Sequence, residues 1–594
     1  MRKQTLFDPG RREDISYFCC ILWVVMPLIV LFGALYYGLL SADSGSDWVF
    51  IDTLEVFSMS FYVIGTLALV FSLTVIFQSS GTLFSRESIK KEPWLYLLFA
   101  VLLCSVLSTL FSGDRVTSFL GSYTCNDGLL SYFIYGGLLV CALQLKSDDK
   151  KLRIITIFTA VISILSVSML LENAGVEWAK KCLISERASV FFQFNHFAYI
   201  LCMSILMLVG LFLYQPKTSF RIYSALSILL QTYTLIVNDT FGAYLAVCIA
   251  LLFIYIVYFV SGRRFSVAVL VPVCAFILVT VLMKADFTPG NTSSTVASNF
   301  TELTEDVEKI VTQSDTAGNA GHGRWRLWKT GVDFLSGHWL FGYGPEGLLH
   351  TEYGTITAGA GTRPHNEYLQ MADFNGVPAL LAYVAAFVFL LIKQWKQLKQ
   401  LKPSALIAAG AVFGYLVSAF VGITMFNTFS YFCLFLGFAA ASEDWDSVFA
   451  PQKKSFSDGK MKPGKIVTVC TACALLIATI VTVSATREEA EREKSDLMKL
   501  WSAEENTKVQ LQNGLLGEGD FWFEPVTCSF IPVEAGELEG YGEGTLTRGR
   551  TVYDFLRKHY MSCQYDESVS YAGKAILVSI REDGDRILCK CRWK

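Results

Sequence analysis

Charge is what this chain has least of. Only 17% of its 594 residues are Asp, Glu, Lys or Arg, against about 25% in soluble domains. With 53% apolar residues and a mean hydropathy of +0.44, that deficit excludes a soluble globular protein and indicates an integral membrane protein. No basic tract supplies the electrostatic footprint of a nucleic-acid binder. The net charge of -3 says little about partners, because opposite signs are sorted along the chain rather than pooled. Heptad arrays, solenoid periods and low-complexity tracts are missing, which sets aside coiled coils and repeat folds. The first apolar run is too long for a signal-peptide core and lacks a small-residue cleavage site, so it reads as a retained anchor. Most of the sixteen cysteines fall inside apolar runs, where Cys behaves as a small hydrophobe. Cys470 and Cys473 are among them. Cys528, Cys563, Cys589 and Cys591 sit in the C-terminal tail, where an extracytoplasmic location would let disulfides persist.

What is present is a series of apolar runs, at roughly 16–41, 53–78, 93–112, 128–146, 152–172, 189–214, 218–237, 240–261, 264–284, 369–394, 404–424, 425–443 and 464–485. Each is near the ~20 residues that a helix needs to cross the hydrocarbon core. The runs are continuous rather than alternating, so helices are expected and not a barrel. The fold class is therefore all-α and polytopic, with about 12–13 transmembrane helices. Basic residues mark every second connection: Arg11 and Arg12, Lys90 and Lys91, Lys150 and Lys151, Lys217 and Arg221, Arg263 and Arg264, Lys393 and Lys396, Lys453 and Lys454. By the positive-inside rule these face the cytoplasm. The N-terminus is then inside and the long connection 285–368 outside. A membrane domain is expected over 1–485, and an extracytoplasmic helix plus a small α+β region over 486–594.

The polar stretch Gly321–Gly376 interrupts the apolar series and concentrates reactive side chains. Four of six histidines lie in it, His322, His338, His350 and His365, together with Arg324, Arg326 and Arg363. WRLWKTGVDFL reads as an amphipathic interfacial helix, FGYGPEG as a turn, and NFTELTEDVEKIVTQ as a short surface helix in the preceding linker. Arg324 and Arg326 are two apart and do not share a helical face. Arg324 is the candidate for holding an anion, since a guanidinium offers two oxygens a planar fork. An interfacial arginine on lipid headgroups is the alternative. His365 follows Pro364, which fixes the approach of the chain, and can accept a proton near neutral pH. Asn366 beside it is expected to orient it or bind a sugar. A merely structural loop histidine is the competing reading. Histidine spacings of 16, 12 and 15 residues match no compact metal-ligand pattern, so no metal and no cofactor are expected. Arg115 and Arg187 are further arginines on the same face, able to complete an anion site or to anchor at the interface. Asn195 and His196 form a polar pair at the end of a span, functional or packing glue.

GRWRLWKTGVDFLSGHWLFGYGPEG followed by RPHNEYLQMADFNGVPALLAYV resembles the signature of the O-antigen ligase and O-antigen polymerase family of bacterial envelope enzymes. The shared features are an arginine four residues before a tryptophan (Arg324, Trp328), a Gly-Tyr-Gly turn (Gly342 to Gly344), a His-Asn pair (His365, Asn366) and a following glycine (Gly376). The resemblance spans roughly residues 90–445, and the tail lies outside it. It implies a metal-independent glycosyltransferase of the multi-helix, GT-C-like membrane type in a bacterial cytoplasmic membrane. Such an enzyme moves glycan from an undecaprenyl-diphosphate carrier to a glycan, lipid or protein acceptor on the outer face. Arg324 would then hold the diphosphate and His365 would activate or orient the acceptor, with Asn366, Arg326, Arg363, Arg187 and Arg115 as substrate-binding candidates. The family often has Ser-Arg-Gly at the start of a mid-chain helix. Here the sequence reads Asp239-Thr240-Phe241-Gly242, so the second diphosphate arginine must come from elsewhere. The rival reading is a lipid-glycan flippase or exporter, but such proteins carry charges at the bilayer midplane and these spans carry very few.

Overall fold

The computed structural model describes residues 9–40, 46–122, 125–176, 179, 187–191, 193–283, 296–312, 320–321, 323–351, 353, 363–440, 445–450, 474, 476–485, 488 and five strands between 519 and 593. The main helices are α1 (Pro9–Leu40), α2 (Ser46–Gln78), α3 (Pro93–Phe111), α4 (Leu129–Leu143), α5 (Asp148–Asn173), α6 (Phe194–Tyr214), α7 (Thr218–Asn238) and α8 (Phe241–Val260). After them come α9 (Val271–Met283), α10 (Val296–Val311), α11 (Arg324–His338), α12 (Glu367–Asn375), α13 (Val377–Lys396), α14 (Pro403–Ser418) and α15 (Phe426–Ala439). Among the described residues eight helices, α1, α2, α3, α5, α6, α7, α8 and α13, are long and apolar enough to cross a membrane. Leu129–Leu143, Val267–Leu282, Pro403–Ser418, Phe426–Ala439 and Leu476–Ala485 are shorter apolar helices. The architecture is an all-α polytopic bundle. Along α6 almost every side chain is buried, and it packs on α7, α14 and α8, while α2 and α15 flank α4 and α3 lies along α13.

The two compact units are Met1–Gly347 with Arg363–Ser484, and Leu348–Thr362 with Ala485–Lys594. In the second, strands β1 (Gly519–Glu524), β2 (Ser529–Pro532), β3 (Ser562–Cys563), β4 (Ala575–Asp583) and β5 (Arg586–Trp593) form one sheet in the order β2-β1-β5-β4-β3. The charged helix expected ahead of them, and Cys470, Cys473 and Cys528, lie outside the described residues.

One expected span is two helices. The run 369–394 breaks at Gly376, whose φ of +88° belongs to the left-handed region that glycine adopts without a Cβ penalty. Pro378 then sits in the first turn of α13, where a missing N–H costs nothing. The FGYG turn satisfies the broken ends. Gly344 N donates to Phe374 O at 2.9 Å, Tyr343 N to Asp373 O at 2.8 Å, and Val377 N to Trp339 O at 2.7 Å. Gly342 must be glycine, because a Cβ there would lie 2.6 Å from the Phe374 carbonyl carbon. The run 404–424 also ends early, at Ser418, and 419–425 is a non-helical turn that enters the site below.

At the end of the bundle rich in Lys and Arg, charges are closed into pairs. Lys393 bonds the fully buried Glu92, which also accepts from Trp94 Nε1 at 2.8 Å. Lys150 pairs with Asp14 at 2.7 Å, and Ser147 N donates to Glu13 at 2.8 Å.

Candidate functional site

At the opposite end, α11 runs alongside α12. Gly331 is the point of closest approach: a Cβ there would sit 2.9 Å from Leu369 and 3.0 Å from Asp373. One turn earlier, Trp328 Nε1 donates to the His365 carbonyl at 3.4 Å. The α11 face carrying Leu327, Thr330 and Gly331 is buried, so the alternation expected of an amphipathic helix is present.

His365 is set by the turn that starts α12. Its φ is +51°, a left-handed conformation that costs a non-glycine residue roughly 1–3 kcal/mol and is held only where surroundings fix it. Three contacts do so. Asn366 Oδ1 accepts from Tyr368 N and Leu369 N, both at 3.1 Å, as a helix N-cap. Glu367 N donates to Ala419 O at 2.9 Å. The Glu367 carboxylate is buried and accepts from Tyr383 Oη at 2.6 Å and Tyr415 Oη at 2.8 Å, tying α12 to α13 and α14. Burial pushes Glu367 up to about 7, against the two tyrosine hydrogen bonds.

Burial, then the positive charge of Arg324 and Arg363, holds His365 down at about 4. It is therefore a neutral imidazole at neutral pH, able to accept a proton. Arg324 opens α11. Its Nη1 lies 3.5 Å from the Gly321 carbonyl, and its buried Nε has no hydrogen-bond partner. Among the described residues no carboxylate pairs with it, so its charge is available to a ligand. Arg326 follows two positions on, on a different face.

Arg363 is built differently. Only 5% exposed, it pairs with Asp127 Oδ2 at 3.2 Å and with Glu346 Oε1 at 3.2 Å, donates to the Thr424 carbonyl and lies over the Phe374 ring. Asp127 also accepts from Tyr135 Oη at 2.7 Å, and Glu346 from the Ser122 and Asp127 amides at 2.8 and 2.6 Å. Burial raises Asp127 to about 7 despite Arg363, with Glu346 pushing the same way. Two buried carboxylates thus claim the Arg363 cation, which makes it a clamp between three loops. Asn366 likewise spends its side-chain oxygen on the helix cap.

Arg187 has φ +58°, and its Nη1 lies 3.6 Å from Asp239 Oδ2 at the entry to α8. Asn238 Nδ2 donates to the Arg187 and Phe194 carbonyls at 2.8 and 3.0 Å, and Thr240 Oγ1 to Asn195 Oδ1 at 3.3 Å. Arg187 thus brings a cation beside the Asp239-Thr240-Phe241-Gly242 turn. His196, fully buried, has its Nδ1 3.3 Å from Asn427 Nδ2. Arg115 is exposed at the start of a short helix, Arg115–Leu120. His338 stacks on Tyr343 at 4.0 Å. His322 and the His350 side chain lie outside the described residues. Glu367, Asp127 and Glu346 were not singled out from sequence. Only the position of Glu367 next to His365-Asn366 signalled any of them.

Residues 226–384 match the family model described as O-antigen ligase. The matched stretch contains Arg324, His365, Asn366 and the Asp239 turn, and stops within α13. The long apolar helices make the protein a polytopic membrane protein. No curated protein matches the chain.

Proposed function

We propose that this protein is a glycosyltransferase that takes glycan from an undecaprenyl-diphosphate carrier and joins it to an acceptor hydroxyl at the outer face of the cytoplasmic membrane. The observation that carries this reading is a neutral, conformationally fixed His365 beside an Arg324 with no carboxylate partner among the described residues. In the reaction, the acceptor oxygen attacks the anomeric carbon as His365 takes its proton. The bond between that carbon and the diphosphate oxygen breaks, and the lipid diphosphate leaves with the bonding electrons. Arg324 stabilises the charge that develops on the leaving group, so the leaving group needs no proton. Arg187, at the start of α8, is suited to a second contact with the diphosphate. The distribution of Lys and Arg supports an inside N-terminus and a site facing outward.

The test is transfer by purified protein in proteoliposomes with lipid-diphosphate-linked oligosaccharide, comparing wild type with His365→Ala. Released lipid diphosphate with a lengthened glycan marks a polymerase, and glycan on a different acceptor marks a ligase. Movement of the carrier across the bilayer without bond cleavage would replace this reading with the flippase.

A further inference from the structure

We infer that Trp325 is the platform on which the sugar ring next to the diphosphate stacks. The inference rests on the donor reading of Arg324 and adds to it a glycan subsite. α11 and α12 run in the same direction, Gly331 meeting Leu369 and Asp373 and Trp328 meeting His365. Trp325 is three residues before Trp328, about 4.5 Å further along the axis. The first turn of α11 therefore overhangs the start of α12, carrying Arg324 and Trp325 together past His365. Trp325 and Trp328, at i and i+3, share a helical face, and their rings meet edge to face at 6.3 Å and 65°. Trp328 is itself bonded to the His365 carbonyl, so the pair is anchored to the same turn that fixes the imidazole. Trp325 remains 36% exposed while Leu327, on the buried face, is 2% exposed.

A sugar diphosphate offers a dianion and, directly bonded to it, a pyranose ring with an apolar face of C–H groups. Arg324 and Trp325 stand four and three residues before Trp328 and flank it on the helix surface, so a cation and an aromatic surface lie to either side of it. Indole suits a ring of this kind because its large face is apolar and electron-rich. The neighbouring His365 then faces the anomeric carbon that joins the two halves of the donor.

The experiment measures binding of two probes to the full-length protein in nanodiscs: undecaprenyl diphosphate alone, and the same carrier bearing one N-acetylglucosamine. Trp325→Ala should weaken the sugar-bearing probe by roughly three- to tenfold and leave the bare diphosphate unchanged, with Trp325→Phe restoring most of the loss. Arg324→Ala should weaken both. Equal loss of both probes in Trp325→Ala would mean that this indole contacts lipid or headgroups, and would overturn the proposal, as would no change in either. Wild-type protein that binds neither probe would remove the donor reading itself. An unchanged melting temperature in Trp325→Phe keeps the result free of folding effects.

Discussion

The two ends of the bundle treat charge in opposite ways. At the Lys- and Arg-rich end, Lys393 is matched with Glu92 and Lys150 with Asp14, and the pairs fasten helix ends together. At the other end the matching is uneven. Arg363 has two buried carboxylates, Asp127 and Glu346, whereas Arg324 has a backbone carbonyl at 3.5 Å and no carboxylate among the described residues. A fold that pairs cations at one end, and pairs Arg363 twice over at the other, gives Arg324 no carboxylate among the described residues. The same contrast separates Arg324 from Arg363.

Breaking the site end should cost activity before stability. His365→Ala is expected to lower the transfer rate by about 10²–10⁴-fold, the range for a lost general base, with an unchanged melting temperature in detergent; wild-type turnover would exclude His365 from proton transfer. Arg324→Ala should lower turnover by roughly 10²–10³-fold, with partial recovery in Arg324→Lys, which keeps the charge but not the fork. Arg363→Ala should do the reverse: it strands Asp127 and Glu346, costs about 3–5 kcal/mol of stability, and appears as a collapsed melting temperature and low yield. If Arg363→Ala melts like wild type while losing turnover, the distinction drawn between the two arginines is wrong. At the basic end, Lys393→Ala leaves Glu92 buried without its cation. It should destabilise by a similar or smaller amount, while the surviving folded fraction turns over at the wild-type rate.

Two pH measurements sharpen the comparison further. His365 is held near 4, so kcat/KM of the free enzyme should stay level as pH falls through 6.5 and drop only near pH 4. In Arg324→Ala, where one cation is gone, that limb should move upward. Glu367 has the opposite sign. Its pKa is raised from 4.5 to about 7, so its contribution to stability is full below pH 4.5 and is lost as pH rises through 7, by about 3 kcal/mol in all. Glu367→Gln should flatten the fall in melting temperature across that window; an equally steep fall would place its origin elsewhere, Asp127 being the next group to test.

Sequence patterns reached the site unevenly. Arg324 and His365 could be found because a polar stretch with four histidines stands out in an apolar chain. The Gly-Tyr-Gly turn was visible as a turn, but not as the plug that receives the broken helix at Gly376. The run 369–394 looked like one span because hydropathy averages over a single glycine, whereas the break depends on Gly344 and Tyr343 reaching Phe374 and Asp373. Asn366 looked like a substrate ligand, and its side-chain oxygen caps α12 instead. Asp127, Glu346 and Arg363 are separated by hundreds of residues or by a whole loop, and no local pattern announces that they meet.

Composition and periodicity alone determined that this is a helical membrane protein, where its basic connections fall, and which stretch concentrates its histidines and arginines. Those properties are sums over neighbouring residues, and burial in lipid enforces them helix by helix. That Arg363 is closed into a pair of carboxylates, and that His365 stays neutral, were decided only in the folded bundle. They depend on desolvation and on charges brought together from distant segments, and neither exists until the helices pack.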